Sequence, residues 1–205
     1  FTPPQILSSD LSGLVLDLAS WGVQDTKSLA FVDQPPETTI KEARALLVQL
    51  GALDKDGALT ARGKVMRDLA LPPRLAAMVV SAGESGHAKD AALISVLLTE
   101  QGLGGTSLDL EERLRRFKGE KGERTEASRR LAGRLSEGFN KVSSAEPALA
   151  GRLLLHAFPD RVALQRGARG RFVMANGRGA ELAETERLAG SQMLVIADLT
   201  GRAAQ

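Results

Sequence analysis

Apolar residues recur at helical spacing along most of this chain. Leu11, Leu14, Val15 and Leu18 mark a helix over Ser8 to Ser20, with Asp10 placed to serve its N-terminus and Gly22 just past its end. A second stripe, Ile40, Ala43, Leu46, Leu47 and Leu50, follows Pro35-Pro36 and stops at Gly51. Asp56-Gly57 then supplies a tight turn flanked by Leu53 and Leu59, because Gly accepts positive φ and Asp tolerates it. Thr60 is placed to N-cap a helix from Ala61. Pro72-Pro73 forbids its continuation, since neither residue has an N–H and the second pushes the first out of the α region. These elements, over roughly residues 1–70, describe a helical unit with one hairpin.

The next stretch, 71–150, reads as almost wholly helical. Leu75, Met78, Val79 and Ala82 share a face, and Ala88 to Glu100 is nearly all apolar, which places it deep in a bundle. Gly102, Gly104 and Gly105 break that helix. Leu110, Leu114 and Phe117 predict a third helix and Leu131, Leu135 and Phe139 a fourth. Between them FKGEKGERTE is charged and Gly-punctuated, which predicts a mobile, solvent-facing loop. After Pro147 a last helix carries Leu149, Leu153, Leu154 and Ala157. The period then changes at Phe158-Pro159: Val162/Leu164, Phe172/Met174 and Leu194/Ile196 alternate as in strands, and Asn176-Gly177 is a hairpin signal. The expected fold is therefore mainly α with a small β-rich part over 151–205. The strand-like LVIADLTG near its end suggests that this part is truncated.

Composition narrows the possibilities. Only 3% of the 205 residues are aromatic, with one Trp and no Tyr, so the core rests on Leu, Ala, Val and Ile. The absence of Cys excludes disulfides and thiolate metal sites and fits a cytoplasmic protein. No apolar run approaches the ~20 residues of a membrane-spanning helix. Phe1-Thr2-Pro3-Pro4 is neither a signal peptide nor an ordinary start and reads as the edge of an excised fragment.

Catalytic chemistry is sparse. The nearest approach to a phosphate-gripping loop is GALTARGKV, Gly57 to Val65, where the glycines are misplaced and Val65 stands in the metal-binding Ser/Thr position. A helix N-terminus accounts for those residues better. His87 and His156 are isolated, and no acidic cluster has metal-ligand spacing, so no catalytic, cofactor-binding or metal residues are assigned. Net charge is only +2, from 27 basic and 25 acidic residues, so the position of the charge matters more than its sum. Arg115 and Arg116 have Glu111 and Glu112 at helical pairing distance, and Arg129, Arg130 and Arg134 have Glu126 and Glu137 nearby, which predicts solvated, salt-bridged faces. The C-terminal part differs. Arg152, Arg161, Arg166, Arg169, Arg171 and Arg178 are interrupted only by Asp160. Either this is plain surface charge, or Arg161, Arg166, Arg169, Arg171 and Arg178 form a strip that meets nucleic-acid phosphates.

Two stretches carry a resemblance. LGALDKDGALTARGKVMRDLALPPRLAAM is similar to the accessory region of DEAH/RHA-type superfamily 2 helicases, in which a winged-helix domain leads into a helical ratchet domain. The segments FPDRVA, Arg166-Gly167, GRF, NGRGA and LVIADL resemble, in order, the stretch after the ratchet in bacterial HrpB-type ATP-dependent helicases. The resemblance implies a winged helix over 1–70, a ratchet (HA2-type) bundle over 71–150 and the start of an OB-like unit over 151–205. It implies single-stranded RNA or DNA as partner, gripped in a channel beside the protein's own RecA-like motor domains, which would supply ATP and Mg²⁺ chemistry in the full-length enzyme. Those motor motifs are missing from this sequence, so the fragment is expected to be inactive alone. The rival expectation is a platform that docks a helicase activator or another protein partner without touching nucleic acid.

Overall fold

The computed structural model describes residues 5–7, 9–23, 25–139 and 149–200. Contacts divide the chain into two compact units, Phe1–Val80 and Ser81–Gln205.

In the first unit α1 (Ser12–Ser20) packs against α2 (Glu37–Gln49) and α3 (Ala61–Asp68). Asp10 Oδ1 accepts from the Ser12 N–H at 2.8 Å, which supplies the start of α1. Val15, Leu18, Ile40, Ala43, Leu47 and Met66 fill the core between the three helices. Asp54 and Ala58 close the hairpin around Gly57, which has φ +82°, and a single bridge joins Leu53 to Leu59. The wing is thus one bridge long. Thr60 caps α3 by accepting from the Gly63 N–H at 2.9 Å, and its hydroxyl lies 2.7 Å from the Gly51 carbonyl. The two glycines of GALTARGKV have local causes: Gly57 makes the positive-φ turn, and a Cβ on Gly63 would run into the Ala52 carbonyl. These residues do not form a cradle for a nucleotide.

Helix α4 (Pro73–Glu84) starts at the double proline. In the second unit α5 (Ala88–Thr99) is the central helix, buried from Ala91 to Leu97. It packs against α6 (Leu110–Gly119), α7 (Glu123–Ser136) and α8 (Ala150–Ala157). Leu131 and Leu135 lie on a helix as expected, α7, with Phe139 just past its end, and all three are half-buried. The buried row of α7 is Thr125, Ser128, Ala132 and Ser136, whose small side chains let α7 pack closely on α5. One expectation is corrected here: the charged FKGEKGERTE stretch is not one long loop, because only residues 120–122 lie between α6 and α7. Arg129 reaches back to donate to the carbonyls of Phe117 and Glu120, both at 2.8 Å, and so satisfies the end of α6. Gly122, at φ +135°, turns the chain.

Four short antiparallel strands follow: β1 (Val162–Gln165), β2 (Arg171–Met174), β3 (Gly179–Glu181) and β4 (Met193–Val195), in the order β3-β2-β1-β4. The first three strands form a meander, and the fourth returns beside β1. The sheet's inner face holds Ala163, Phe172 and Met174, with Ala180, Leu182, Leu194 and Ile196 around them. The alternation of Val162 and Leu164 marks β1 as a strand, and its buried residue is Ala163, between them. Pairing of Ala163 with Met174 sets this phase, since a one-residue shift in register exchanges the two faces. No described helix is long and apolar enough to cross a membrane.

Candidate nucleic-acid interface

Two tight turns present the arginines singled out from the sequence. The β1–β2 hairpin closes through the Arg166 N–H to the Arg171 carbonyl (2.9 Å) and the Arg171 N–H to the Ala168 carbonyl (3.1 Å). Gly170 has φ +82°, and a Cβ there would strike the Leu182 carbonyl, so only glycine fits. The β2–β3 turn uses Asn176-Gly177: Asn176 Oδ1 accepts from the Arg178 N–H at 3.1 Å, and the Gly177 N–H donates to Met174 at 2.8 Å.

The five arginines fall into two groups. Arg161 is half-buried, donates to the Ala197 carbonyl at 3.0 Å and lies 5.1 Å from the centre of the Phe158 ring. Arg169 donates to the carbonyls of Glu184 (2.9 Å) and Glu186 (3.3 Å). Both guanidinium groups brace the chain. Arg166, Arg171 and Arg178 are exposed, and among the described residues their side chains make no hydrogen bond or ion pair.

The same face carries a feature the sequence did not reveal. Val173 pairs with Gly179 on one side and Leu164 on the other, and Leu164 pairs with Met193. These residues form a row across all four strands on the outer face, with Leu164 59% and Met193 56% exposed. Side chains alternate along a strand, so Arg171 stands on this face about 7 Å from Val173. Arg166 lies opposite Arg171 across the hairpin, whereas Arg178, opposite Met174 at the other end of β2, falls by register on the other face of the sheet. Two exposed cations, Arg166 and Arg171, therefore stand at one end of this aliphatic row. Only knowledge of the register exposes this row, because each residue alone looks like an ordinary strand hydrophobe.

The helical cations behave differently. Glu112 pairs with Arg116 at 2.5 Å, as helical spacing predicts. The hydroxyl of Ser107 and then the Arg116 charge hold the Glu112 carboxyl below its ordinary pKa. Glu111 does not pair with Arg115; its carboxylate accepts from the Ala150 N–H at the start of α8. An open groove of about 740 Å³ runs along α5 and α7 over Leu93, Ala132 and Gly133. Lys89 and Arg130 stand at its rim, while Lys118 is paired with Asp90 at 2.9 Å. Among the described residues no group of three His, Asp or Glu side chains is placed to hold a metal ion.

Residues 43–71 match the family model of the helicase-associated domain (HA2), winged-helix. The chain is 39% identical over 192 residues to the ATP-dependent RNA helicase HrpB of Escherichia coli strain K12, covering 94% of this chain and 23% of that protein. Two solved structures agree. A crystal structure of the E. coli DExH-box NTPase HrpB superposes with a TM-score of 0.83 at 36% identity, covering all of this chain and 24% of that one. A crystal structure of the Escherichia coli DEAH/RHA helicase HrpB gives 0.76 at 34% identity and covers 27% of its chain. The chain thus spans about a quarter of the length of these relatives. Over nearly its whole length the chain is thus similar to about a quarter of the HrpB-type DEAH/RHA helicases, and residues 43–71 match their winged-helix helicase-associated (HA2) model.

Proposed function

We propose that this region grips single-stranded RNA or DNA beside the RecA-like motor domains of a longer, ATP-hydrolysing polypeptide. In this reading residues 1–70, 71–150 and 151–205 act as winged helix, ratchet bundle and OB-like unit, closing a channel around the strand in the cytoplasm. The nucleotide and Mg²⁺ belong to the motor portion, and the fragment has no hydrolytic activity of its own. One observation carries the proposal: Arg166 and Arg171 stand beside the exposed row of Val173, Leu164 and Met193, with Arg178 exposed at the far end of β2, and among the described residues none of the three side chains has a hydrogen bond or ion pair. Guanidinium groups suit phosphate oxygens, and an apolar bed accepts the faces of bases or riboses without reading their identity. Translocation needs such indifference to sequence. Arg161 and Arg169, tied to backbone carbonyls, hold the shape of this surface and add positive potential to it.

The experiment is a salt titration of single-strand binding by the full-length protein, with Arg166, Arg171 and Arg178 changed together to Glu. Each lost phosphate contact lowers the slope of log K against log salt by about 0.7 for a single strand. We expect weaker binding and a slope reduced by about 2. An unchanged affinity and slope would remove the proposal. The exposed aliphatic row supports a second reading, a platform for a protein partner. In that case partner binding barely responds to salt, and Leu164→Ser disrupts it while the arginine substitutions do not.

A further inference from the structure

The segment that clasps the β1–β2 hairpin is tied to the helical bundle by an ion pair. Asp109 N-caps α6, accepting the Glu111 N–H on Oδ1 at 3.0 Å, and its other oxygen accepts from Arg187. The carboxylate is buried, with its side chain 9% exposed. Arg187 opens the 3₁₀ turn Arg187–Gly190, and that segment wraps the tip of the hairpin. The Gly170 N–H donates to the Ala189 carbonyl at 3.0 Å, the Leu182 N–H donates to the Gly170 carbonyl at 2.8 Å, and Arg169 grips the Glu184 and Glu186 carbonyls. The Asp109–Arg187 pair thus leads, through the backbone of residues 186–189 and its hydrogen bonds, to the turn that carries Arg166 and Arg171. The neighbouring carboxylate, Glu111, holds the first turn of α8, and α8 leads through Pro159–Arg161 into β1. Two acids in the first turn of α6 therefore hold both approaches to the sheet.

We infer that Asp109 and Arg187 are positioning residues, which set the arginine-bearing hairpin against the bundle in its strand-gripping orientation. This rests on the nucleic-acid reading above, and the roles differ: Arg166 and Arg171 touch phosphate, whereas Arg187 acts through the segment that clasps them. A buried carboxylate with a single charged partner fixes direction well. Removing either member loosens the hairpin without removing a phosphate contact.

The test uses the full-length protein with Asp109→Asn, Arg187→Gln, Arg187→Lys and the Asn/Gln double variant. Asparagine caps a helix about as well as aspartate, so the first substitution removes the charge and keeps the cap. Single-strand affinity, its salt slope, amide exchange of residues 166–171 and the thermal midpoint are measured together. We expect Asp109→Asn and Arg187→Gln each to weaken binding about three- to tenfold, with faster hairpin exchange and an unchanged salt slope. The double variant should be no worse than the weaker-binding single, and Arg187→Lys should recover most of the affinity. If the two single substitutions change affinity in opposite directions, and Arg187→Gln lowers the slope, Arg187 contacts phosphate itself and the positioning role is wrong. If affinity and thermal midpoint fall together in every variant, Arg187→Lys included, the pair is merely structural and the inference is overturned. If both single variants bind normally while the Arg166/Arg171/Arg178 variant binds poorly, the inference fails and the strand-gripping reading stands. If that arginine variant also binds normally, the reading itself fails.

Discussion

Alanine at Gly63 and alanine at Gly133 should move stability in opposite directions, although both glycines lie within helices. Replacing glycine by alanine in a helix interior ordinarily stabilises by up to about 1 kcal/mol, partly by restricting the unfolded chain. At Gly133, within α7, an added Cβ meets nothing within 4 Å, and we expect a gain of roughly 0.5–1 kcal/mol. Gly63 is different. Its Cβ would overlap the Ala52 carbonyl and come within 2.7 Å of a Leu59 methyl. The carbonyl is not free to retreat, because the Thr60 N–H donates to it at 3.0 Å and the Thr60 hydroxyl lies 3.1 Å away.

Relief at Gly63 therefore means overpacking, at about 1–3 kcal/mol, or loss of a hydrogen bond to Ala52, at about 1 kcal/mol. Position three of a helix recovers little of the propensity gain. Gly63→Ala should lose about 1–3 kcal/mol, a fall of roughly 5–15 °C in the midpoint of the first unit. The assay is denaturant and thermal unfolding, with the single tryptophan, Trp21, reporting on that unit and far-ultraviolet circular dichroism following the helices of the second. A neutral or stabilising Gly63→Ala would refute the claim that the Ala52 carbonyl dictates glycine there. A destabilising Gly133→Ala would mean that the floor of the α5–α7 groove is not open.

The two groups of arginines should separate in solution. Single Gln substitutions at Arg166, Arg171 and Arg178 should each lower the salt slope of single-strand binding by about 0.7 and leave stability within about 0.5 kcal/mol. Arg169→Gln should instead cost stability, about 1 kcal/mol, because two carbonyls lose their donor. Denaturation and binding curves on the same samples check both. The Glu112 carboxyl is lowered first by the Ser107 hydroxyl, so its contribution to stability is present above the ordinary carboxylate range and fades as acidification passes its lowered pKa. Ser107→Ala should raise that pKa toward normal, as followed by carbon-13 NMR titration of the carboxyl; an unmoved value would leave the charges of Arg116 and Arg115 as the cause.

Helices, caps and turns were legible because their causes are local. Asp10, Thr60, Gly51 and the Asp56-Gly57 turn act within a few residues of their place in the chain, and each appears where the sequence puts it. What was not legible depends on distant partners. On α7 the larger residues Leu131 and Leu135 mark the helix, but proximity to α5 selects Thr125, Ser128, Ala132 and Ser136 as its buried row. In β1 an alternating pattern offers two phases, and only cross-strand pairing with β2 selects Ala163 as the inner residue. The connection after Phe117 looked long because nothing in its own composition announces that Arg129 will bind the end of α6.

The arginines show the same limit in the place that matters most for function. Absence of nearby acids is a sound reason to expect an unneutralised cation, yet it overlooks the commonest acceptor in any protein, the backbone carbonyl. Arg161 and Arg169 have few acidic neighbours in sequence and are nevertheless engaged, as are Arg113 at the Leu97 carbonyl and Arg62 at the Leu50 carbonyl. Guanidinium is well suited to this, since its forked donors reach more than one oxygen. A basic strip read from sequence therefore overstates the charge available to a ligand. Here five arginines reduce to three, at Arg166, Arg171 and Arg178, and the first two gain meaning from the aliphatic row beside them. Cations alone would suit any polyanion; cations beside an apolar bed favour a flexible strand whose bases can turn away from water. Duplex keeps its bases stacked inside, so the full-length protein should prefer single strand to duplex of equal charge. Leu164→Ser should narrow that preference, whereas loss of Arg171 should weaken binding to both.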